Sequence, residues 1–280
     1  MAKKQNTVPE LPSGTTLFDA HCHLDMARGG EVDVLVAEAV QAGVTEMLTI
    51  GIDPASSRRA LEIANRHDGV YASIGIHPHN VSGITESDYD VLRRLAAEAK
   101  VVAYGEIGLD FVKRYCPLAE QIKQYERQIR LAKELRLPLI IHDREAHAEI
   151  MKELRLAAPF PAGGVMHCFS GDVRLAREVV DLGFHISIPG IVTYPDAAML
   201  QDVARQVSLS ALLIETDSPY LAPVPCRGRE NRPSHVIFTA LKIAELRGIS
   251  LADVARATTA NSRKLFGIAE KTSEQAVSVP

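Results

Sequence analysis

Short apolar runs alternate with longer stretches of helical periodicity along nearly the whole chain, and this alternation is its strongest constraint. The runs begin at Leu17 and recur at residues 45–51, 70–76, 101–106, 137–142, 164–169, 184–188 and 212–217. Between them, apolar residues return every three or four positions. The clearest stripe is Leu118, Ile122, Tyr125, Ile129, Ala132 and Leu135, one face of an amphipathic helix. The punctuation agrees: Gly43 is placed as a helix stop, Asp53-Pro54 as a cap with proline at the first helical position, and Asp172 as another cap. Ser250 and Asp253 resemble a capping box before the last of two final helices, at 233–247 and 250–266. The run Leu139-Ile140-Ile141 has no polar face, which suits a strand covered on both sides.

Strands that alternate with helices pair in parallel through right-handed crossovers. Eight such units closing on themselves make a (β/α)8 TIM barrel, an α/β fold of about 250 residues. The chain of 280 residues is therefore read as one barrel domain over residues 15–268. Residues 1–14 are expected to be a disordered tail without a signal peptide's apolar core, and residues 269–280 a flexible one. A doubly wound open sheet is the alternative, but no Gly-x-Gly-x-x-Gly follows the first strand.

Composition narrows the function classes. At 46% hydrophobic and 24% charged residues the chain can bury a large core. No apolar run reaches the roughly 18 residues that span a bilayer. The net charge of −4 argues against a protein that coats long duplexes, although not against a local basic site. The cysteines Cys22, Cys116, Cys168 and Cys226 form no Cys-x-x-Cys, so a reduced, cytoplasmic protein is expected. No obligate protein partner is evident.

The polar residues at the strand ends point to chemistry. His21 and His23 share one face of the first strand if alternation holds, with Cys22 facing away. Glu106, His142, His167 and Asp217 stand at or near the ends of strands four, five, six and eight. In a barrel these ends form one mouth, where active sites lie. Four imidazoles and two carboxylates favour zinc, manganese, iron or magnesium. Six ligands exceed the need of one tetrahedral ion and suit two ions bridged by a carboxylate. Cys22 and Cys168 are expected to be buried packing residues, and His185 to be structural.

These positions also carry a resemblance. Phe18-Asp19-Ala20-His21-Cys22-His23-Leu24, Gly75-Ile76-His77-Pro78-His79, Gly105-Glu106-Ile107-Gly108-Leu109-Asp110, Pro138-Leu139-Ile140-Ile141-His142, His167-Cys168-Phe169-Ser170-Gly171 and Glu215-Thr216-Asp217-Ser218-Pro219-Tyr220-Leu221 resemble the motifs of the TatD family of metal-dependent hydrolases. The resemblance implies a hydrolase with two divalent ions (zinc, magnesium or manganese), often a deoxyribonuclease or other phosphodiesterase. It implies that His21, His23 and Asp217 hold one ion, that His142 and His167 hold the other, and that Glu106 bridges them. Glu106 and Asp217 are the expected catalytic residues, with Asp217 accepting a proton from the attacking water. Related barrels carry a carboxylated lysine where Glu106 stands.

His77 faces the same mouth and is read as a substrate contact, with a helix-capping or loop hydrogen bond as the alternative. Arg229 is read as a phosphate contact, while Arg227, Arg232 and Lys113 are read as solvated loop charges. One departure falls in the substrate loop: after Arg227-Gly228-Arg229 the family commonly has Asn-Glu-Pro, and this chain has Glu230-Asn231-Arg232-Pro233. The expected substrate is nucleic acid, as short pieces or single-stranded ends. A metal-dependent deacylase or amidase acting on a carbonyl, for example on an aminoacylated RNA, would use the same ligands.

Overall fold

Each apolar run in the computed structural model, which describes residues 8–27 and 31–269, becomes a strand of one sheet. The strands are β1 (Leu17–Cys22), β2 (Val44–Ile50), β3 (Val70–Ile74), β4 (Val101–Asp110), β5 (Leu139–Arg144), β6 (Gly164–Met166), β7 (Phe184–Ile188) and β8 (Leu212–Ile214). They lie in sequence order and every neighbouring pair is parallel. The ring closes between first and last: Cys22 bridges Ser218, and the His23 amide donates to the Ser218 carbonyl at 2.7 Å. This is the expected (β/α)8 barrel.

The helices between strands are α1 (Val32–Gln41), α2 (Pro54–Arg66), α3 (Glu86–Leu95), α4 (Leu118–Leu135), α5 (His147–Ala157), α6 (Val173–Asp181) and α7 (Ala198–Gln206). Two more, α8 (Val236–Arg247) and α9 (Leu251–Phe266), follow β8. Their ends are set by the residues that signal them. Asp53 and Ser56 form a reciprocal capping box on α2, and the Asp172 carboxylate accepts the Leu175 amide on α6. At α9 only half of the expected box forms. Ser250 Oγ accepts the Asp253 amide, while the Asp253 carboxylate accepts the serine hydroxyl instead of a backbone N–H.

Two strands end sooner than their apolar runs suggest. Both β6 and β8 are three residues long. His167 and Asp217 therefore stand on the segments that leave the ladder. The helix expected over 233–247 begins as a short 3-10 turn, Pro233–His235, before α8.

The core has two parts. Phe18, Ala20, Leu48, Ile50, Ala103, Ile140, Val165 and Leu213 come from six strands and cluster with Phe266 of α9. Alternate positions of barrel strands face the lumen, and this cluster fills it. Phe266 closes the end away from the site, 5.9 Å from Phe18 between ring centres. The larger cluster lies between the strands and the surrounding helices. Of the expected tails, residues 1–7 and 270–280 lie outside the described residues. Residues 8–14 form no helix or strand, yet Val8 and Leu11 pack against the core.

Candidate active site

Two irregularities in the ladder aim the central side chains. Along β1, Asp19 pairs with Met47 and Cys22 with Thr49, so β1 carries one extra residue. Along β4, Tyr104 pairs with Leu139 and Ile107 with Ile141, again one extra residue, between which Glu106 stands. A bulge of this kind re-aims a side chain that strict alternation would send elsewhere. Close strand approach is needed here too. Gly108 adopts φ +150°, and a Cβ on it would stand 1.9 Å from the His142 carbonyl oxygen.

The result is a compact cluster. His21 Nε2 and His23 Nε2 face each other at 3.3 Å. Asp217 Oδ1 is 3.4 Å from His23 Nε2 and 3.7 Å from His21 Nε2. Glu106 spans the cluster. Its Oε2 is 3.6 Å from His21 Nε2 and 3.9 Å from His23 Nε2. Its Oε1 is 2.7 Å from His142 Nδ1, 2.8 Å from His167 Nε2 and 3.5 Å from His77 Nε2. The donor atoms of His21, His23 and Asp217 lie within 4.8 Å of one another, and so do those of His77, Glu106 and His142.

Asp217 reaches the cluster through a backbone turn with φ +54°. The turn is pinned to β1. Asp19 accepts the Thr216 amide at 2.8 Å and the Thr216 hydroxyl at 2.5 Å, and the Asp217 amide donates to the His21 carbonyl at 2.9 Å. Burial pushes the Asp19 carboxyl up to about 8, against the pull of its Thr216 hydrogen bonds.

The donor set fits a divalent cation. Two imidazole nitrogens at 3.3 Å cannot both carry protons toward each other. Burial also raises the cost of the Glu106 and Asp217 charges, yet both carboxyls sit below their usual range. For Glu106 the charges of His167 and His77 outweigh burial, helped by hydrogen bonds from His142 and His167. For Asp217 the His23 hydrogen bond and the His21 charge do so. Burial drives His77 well below an ordinary histidine, and drives His21 down with help from His167. Against the cost of burial, the neighbouring carboxylates hold His23, His142 and His167 above an ordinary histidine. Buried carboxylates that draw protons onto their neighbours are a site for positive charge.

All six expected ligands converge. His77, read from sequence as a substrate contact, lines the cleft, caps the 3-10 turn after β3 by accepting the His79 amide at 3.1 Å, and also points its Nε2 at Glu106 within the second donor group. The cleft over the cluster has a volume of about 760 Å³ and is lined by Lys113, Arg144, Cys168 and Tyr220 among others. Arg229 is exposed on the loop after β8 and is not among the lining residues. Arg227 lies over the Tyr194 ring at 4.3 Å, and Arg232 pairs with Glu38. Lys113, read as a solvated charge, is exposed but forms part of the cleft wall. Cys22 is buried as expected, with its thiol on the Leu48 carbonyl. Cys168 is not a packing residue: β6 has already ended, its φ is +43°, and it borders the cleft.

Several functional neighbours carried no role in the sequence reading. Glu215 Oε1 accepts the Cys168 amide at 2.7 Å and lies 3.5 Å from His167 Nδ1. Asp110 Oδ2 is 2.7 Å from His79 Nε2 and 3.6 Å from His142 Nε2. Their signal was position, since each stands in a motif beside a recognised ligand.

The comparisons with known proteins agree with this geometry. The model of a family described as TatD related DNase matches residues 18–267. An uncharacterized metal-dependent hydrolase of Escherichia coli (strain K12), YcfH, is 41% identical over 258 residues, covering 90% of this chain and 96% of its own. The 3′-5′ ssDNA/RNA exonuclease TatD of Cronobacter sakazakii is 37% identical over 240 residues, covering 84% of this chain and 91% of its own. The crystal structure of YJJV, a TatD homolog from Escherichia coli K12, superposes with a TM-score of 0.86 at 32% identity over 90% of this chain and 98% of that one. A barrel whose rim gathers these imidazoles and carboxylates, matched by this family over nearly its full length, belongs to the TatD family of metal-dependent hydrolases.

Proposed function

We propose that this chain is a cytoplasmic phosphodiesterase that removes nucleotides from single-stranded nucleic acid ends, most simply as a deoxyribonuclease, with two divalent ions in its site. The observation that carries the reading is the Glu106 carboxylate, one oxygen turned to His21 and His23 and the other to His77, His142 and His167. A single carboxylate between two donor groups suits a pair of bridged ions. The nucleic-acid substrate is supported by the exonuclease relative. The donors are nitrogen and oxygen, a set open to zinc, manganese or magnesium.

In this reading His21, His23 and Asp217 would hold one ion and His142 and His167, with His77 beside them, would hold the other, with Glu106 between the two donor groups. Bound divalent cations supply Lewis acidity at the phosphoryl oxygens and lower the pKa of water. Asp217, kept ionised by its His23 hydrogen bond, accepts the proton of the attacking water. Water oxygen bonds to phosphorus as the phosphorus–oxygen bond to the neighbouring sugar breaks, and the departing sugar oxygen takes up a proton from solvent to leave as a hydroxyl. Lys113 and Arg144 on the cleft wall draw in the phosphate backbone. Arg229, exposed on the loop after β8 and outside the cleft lining, is kept as a proposed phosphate contact.

The test pairs metal analysis of protein purified without chelator with nucleotide release from single-stranded DNA. Asp217→Asn and Glu106→Gln should each lower kcat by a factor of about 100 or more, the scale of losing a positioned acid–base group. Wild-type cleavage by either variant would sink the assignment. Ester, amide and aminoacylated RNA substrates run beside the DNA decide the bond cleaved. Preference for a carbonyl would replace the phosphodiesterase reading with a deacylase.

A further inference from the structure

Exposed aromatic rings are scarce on this protein, and their location is selective. The chain has seven tyrosines, seven phenylalanines and no tryptophan. All of these rings fall within the described residues, and only Tyr115 and Tyr220 among them are exposed, at 70% and 52%. Tyr220 lines the cleft over the donor cluster, and Tyr115 packs on His79, which lines it too, so the two rings meet different histidines of the cleft wall. Tyr115, on the loop after β4, meets the His79 imidazole edge-on at 4.8 Å, and His79 in turn lies 4.3 Å from His77. Tyr220, on the loop after β8, meets the His23 imidazole at 6.1 Å.

Neither ring needs to be where it is for stability. A large ring left open to water contributes little burial. Each is nevertheless held in place. The Tyr115 loop is tied down by Asp110, which accepts the Val112 and Lys113 amides at 2.9 and 2.7 Å while hydrogen-bonded to His79. Tyr220 has its amide on the Asp217 carbonyl at 2.9 Å and its hydroxyl 3.6 Å from Met26 Sδ. Rigid, exposed rings beside a basic wall are how proteins hold single strands, since every base offers a π-face and stacking ignores sequence. Lys113, two positions before Tyr115, and Arg144 supply that wall.

We propose that Tyr115 and Tyr220 are base-stacking platforms beside the scissile phosphate, and that they make unpaired nucleobases part of what the site recognises. The inference rests on the nucleic-acid reading above and deepens it. A duplex keeps its bases stacked inside, so it cannot use both rings without unpairing. This gives the site a physical reason to prefer single strands that does not depend on sequence.

The experiment compares a single-stranded oligonucleotide with one of equal length whose nucleotides around the cleavage position are abasic. Cleavage gives kcat/KM, and fluorescence anisotropy with non-hydrolysable phosphorothioate versions gives Kd. Tyr115→Ala and Tyr220→Ala should each raise Kd and lower kcat/KM on the normal strand about tenfold, the scale of one lost stacked base. Tyr→Phe, which keeps the ring, should restore most of both. On the abasic strand the alanine variants should match wild type, and bound metal should be unchanged throughout. Equal losses on both strands, or no loss on either, would overturn the platforms while leaving the nuclease standing. A wild type that neither binds nor cleaves either strand would overturn the nuclease reading itself, and the platforms with it.

Discussion

Glu215 shows how much of this site lies one step behind the candidate ligands. Its carboxylate faces His167 Nδ1 at 3.5 Å, and the opposite nitrogen of the same ring faces Glu106 at 2.8 Å. A carboxylate behind a ligating imidazole fixes its tautomer and raises its basicity. Glu215→Gln is therefore expected to weaken metal binding about 10- to 100-fold with the fold intact. Titration of metal into chelator-stripped protein measures it, and unchanged affinity would show that Glu215 serves only the Cys168 amide. The convergence of the six candidate ligands was legible because a strand end is easy to place and a polar residue there is rare. Glu215 was not, because alternation puts it on the same face as Asp217. The turn at Asp217, with φ +54°, breaks that alternation and sends the two carboxylates to different imidazoles. The orientation of His77, which lines the cleft while also turning toward Glu106, was not legible for a related reason. This residue follows β3 by three residues and caps a short 3-10 turn, whose direction no periodicity reports.

The elements were read more easily than their ends. An apolar run marks a strand, but it does not say where hydrogen bonding stops, so β6 and β8 lost their last residues to the site. The loop after β8 depends on an anchor of its own. His235, at the start of α8, is hydrogen-bonded through Nδ1 to Asn231 Oδ1 at 3.0 Å, and Asn231 donates to the Thr216 carbonyl at 2.8 Å. Burial lowers His235 to about 4, with Arg232 and Arg229 adding to the effect. A helix N-terminus likewise disfavours a cation. The unfolded chain then binds more protons than the folded one between about pH 6.5 and 4, so stability is lost as pH falls through that window. The loss from this group should reach about 2 kcal/mol by pH 5. Denaturant unfolding at pH 7 and pH 5 tests it, with His235→Gln showing a smaller drop than wild type. Equal drops in the two proteins would remove His235 from the account.

At the scale of the molecule, the barrel gathers its charge-rich end on one rim and its apolar lumen beneath. A cation that joins the buried carboxylates and imidazoles at that rim binds the folded chain and not the unfolded one. Metal at about 100 times its Kd should stabilise the fold by about 2.7 kcal/mol per ion. Chelation should accordingly lower Tm by several degrees, recoverable with added zinc, manganese or magnesium. Calorimetry with and without chelator checks this, and an unmoved Tm would mean that the site forms no bond with metal in the native state. The barrel itself was legible from its eightfold alternation, because parallel strands covered on both faces have little room for polar residues. Its closure was not, since the contacts between the first strand and the last turn are matters of distance in space.

The floor of the lumen has a consequence for how the molecule comes into being. Phe266 fills the space beneath Phe18, and Thr259 donates its hydroxyl to the Thr16 carbonyl across 243 residues of chain. Contacts so remote in sequence form late and slowly. The first strand thus waits for the last helix, and until α9 docks the bottom of the barrel is an open apolar well. A ring built in order from one end would be complete only when its final piece returned to its first. The interval before that is when this chain is most exposed to aggregation.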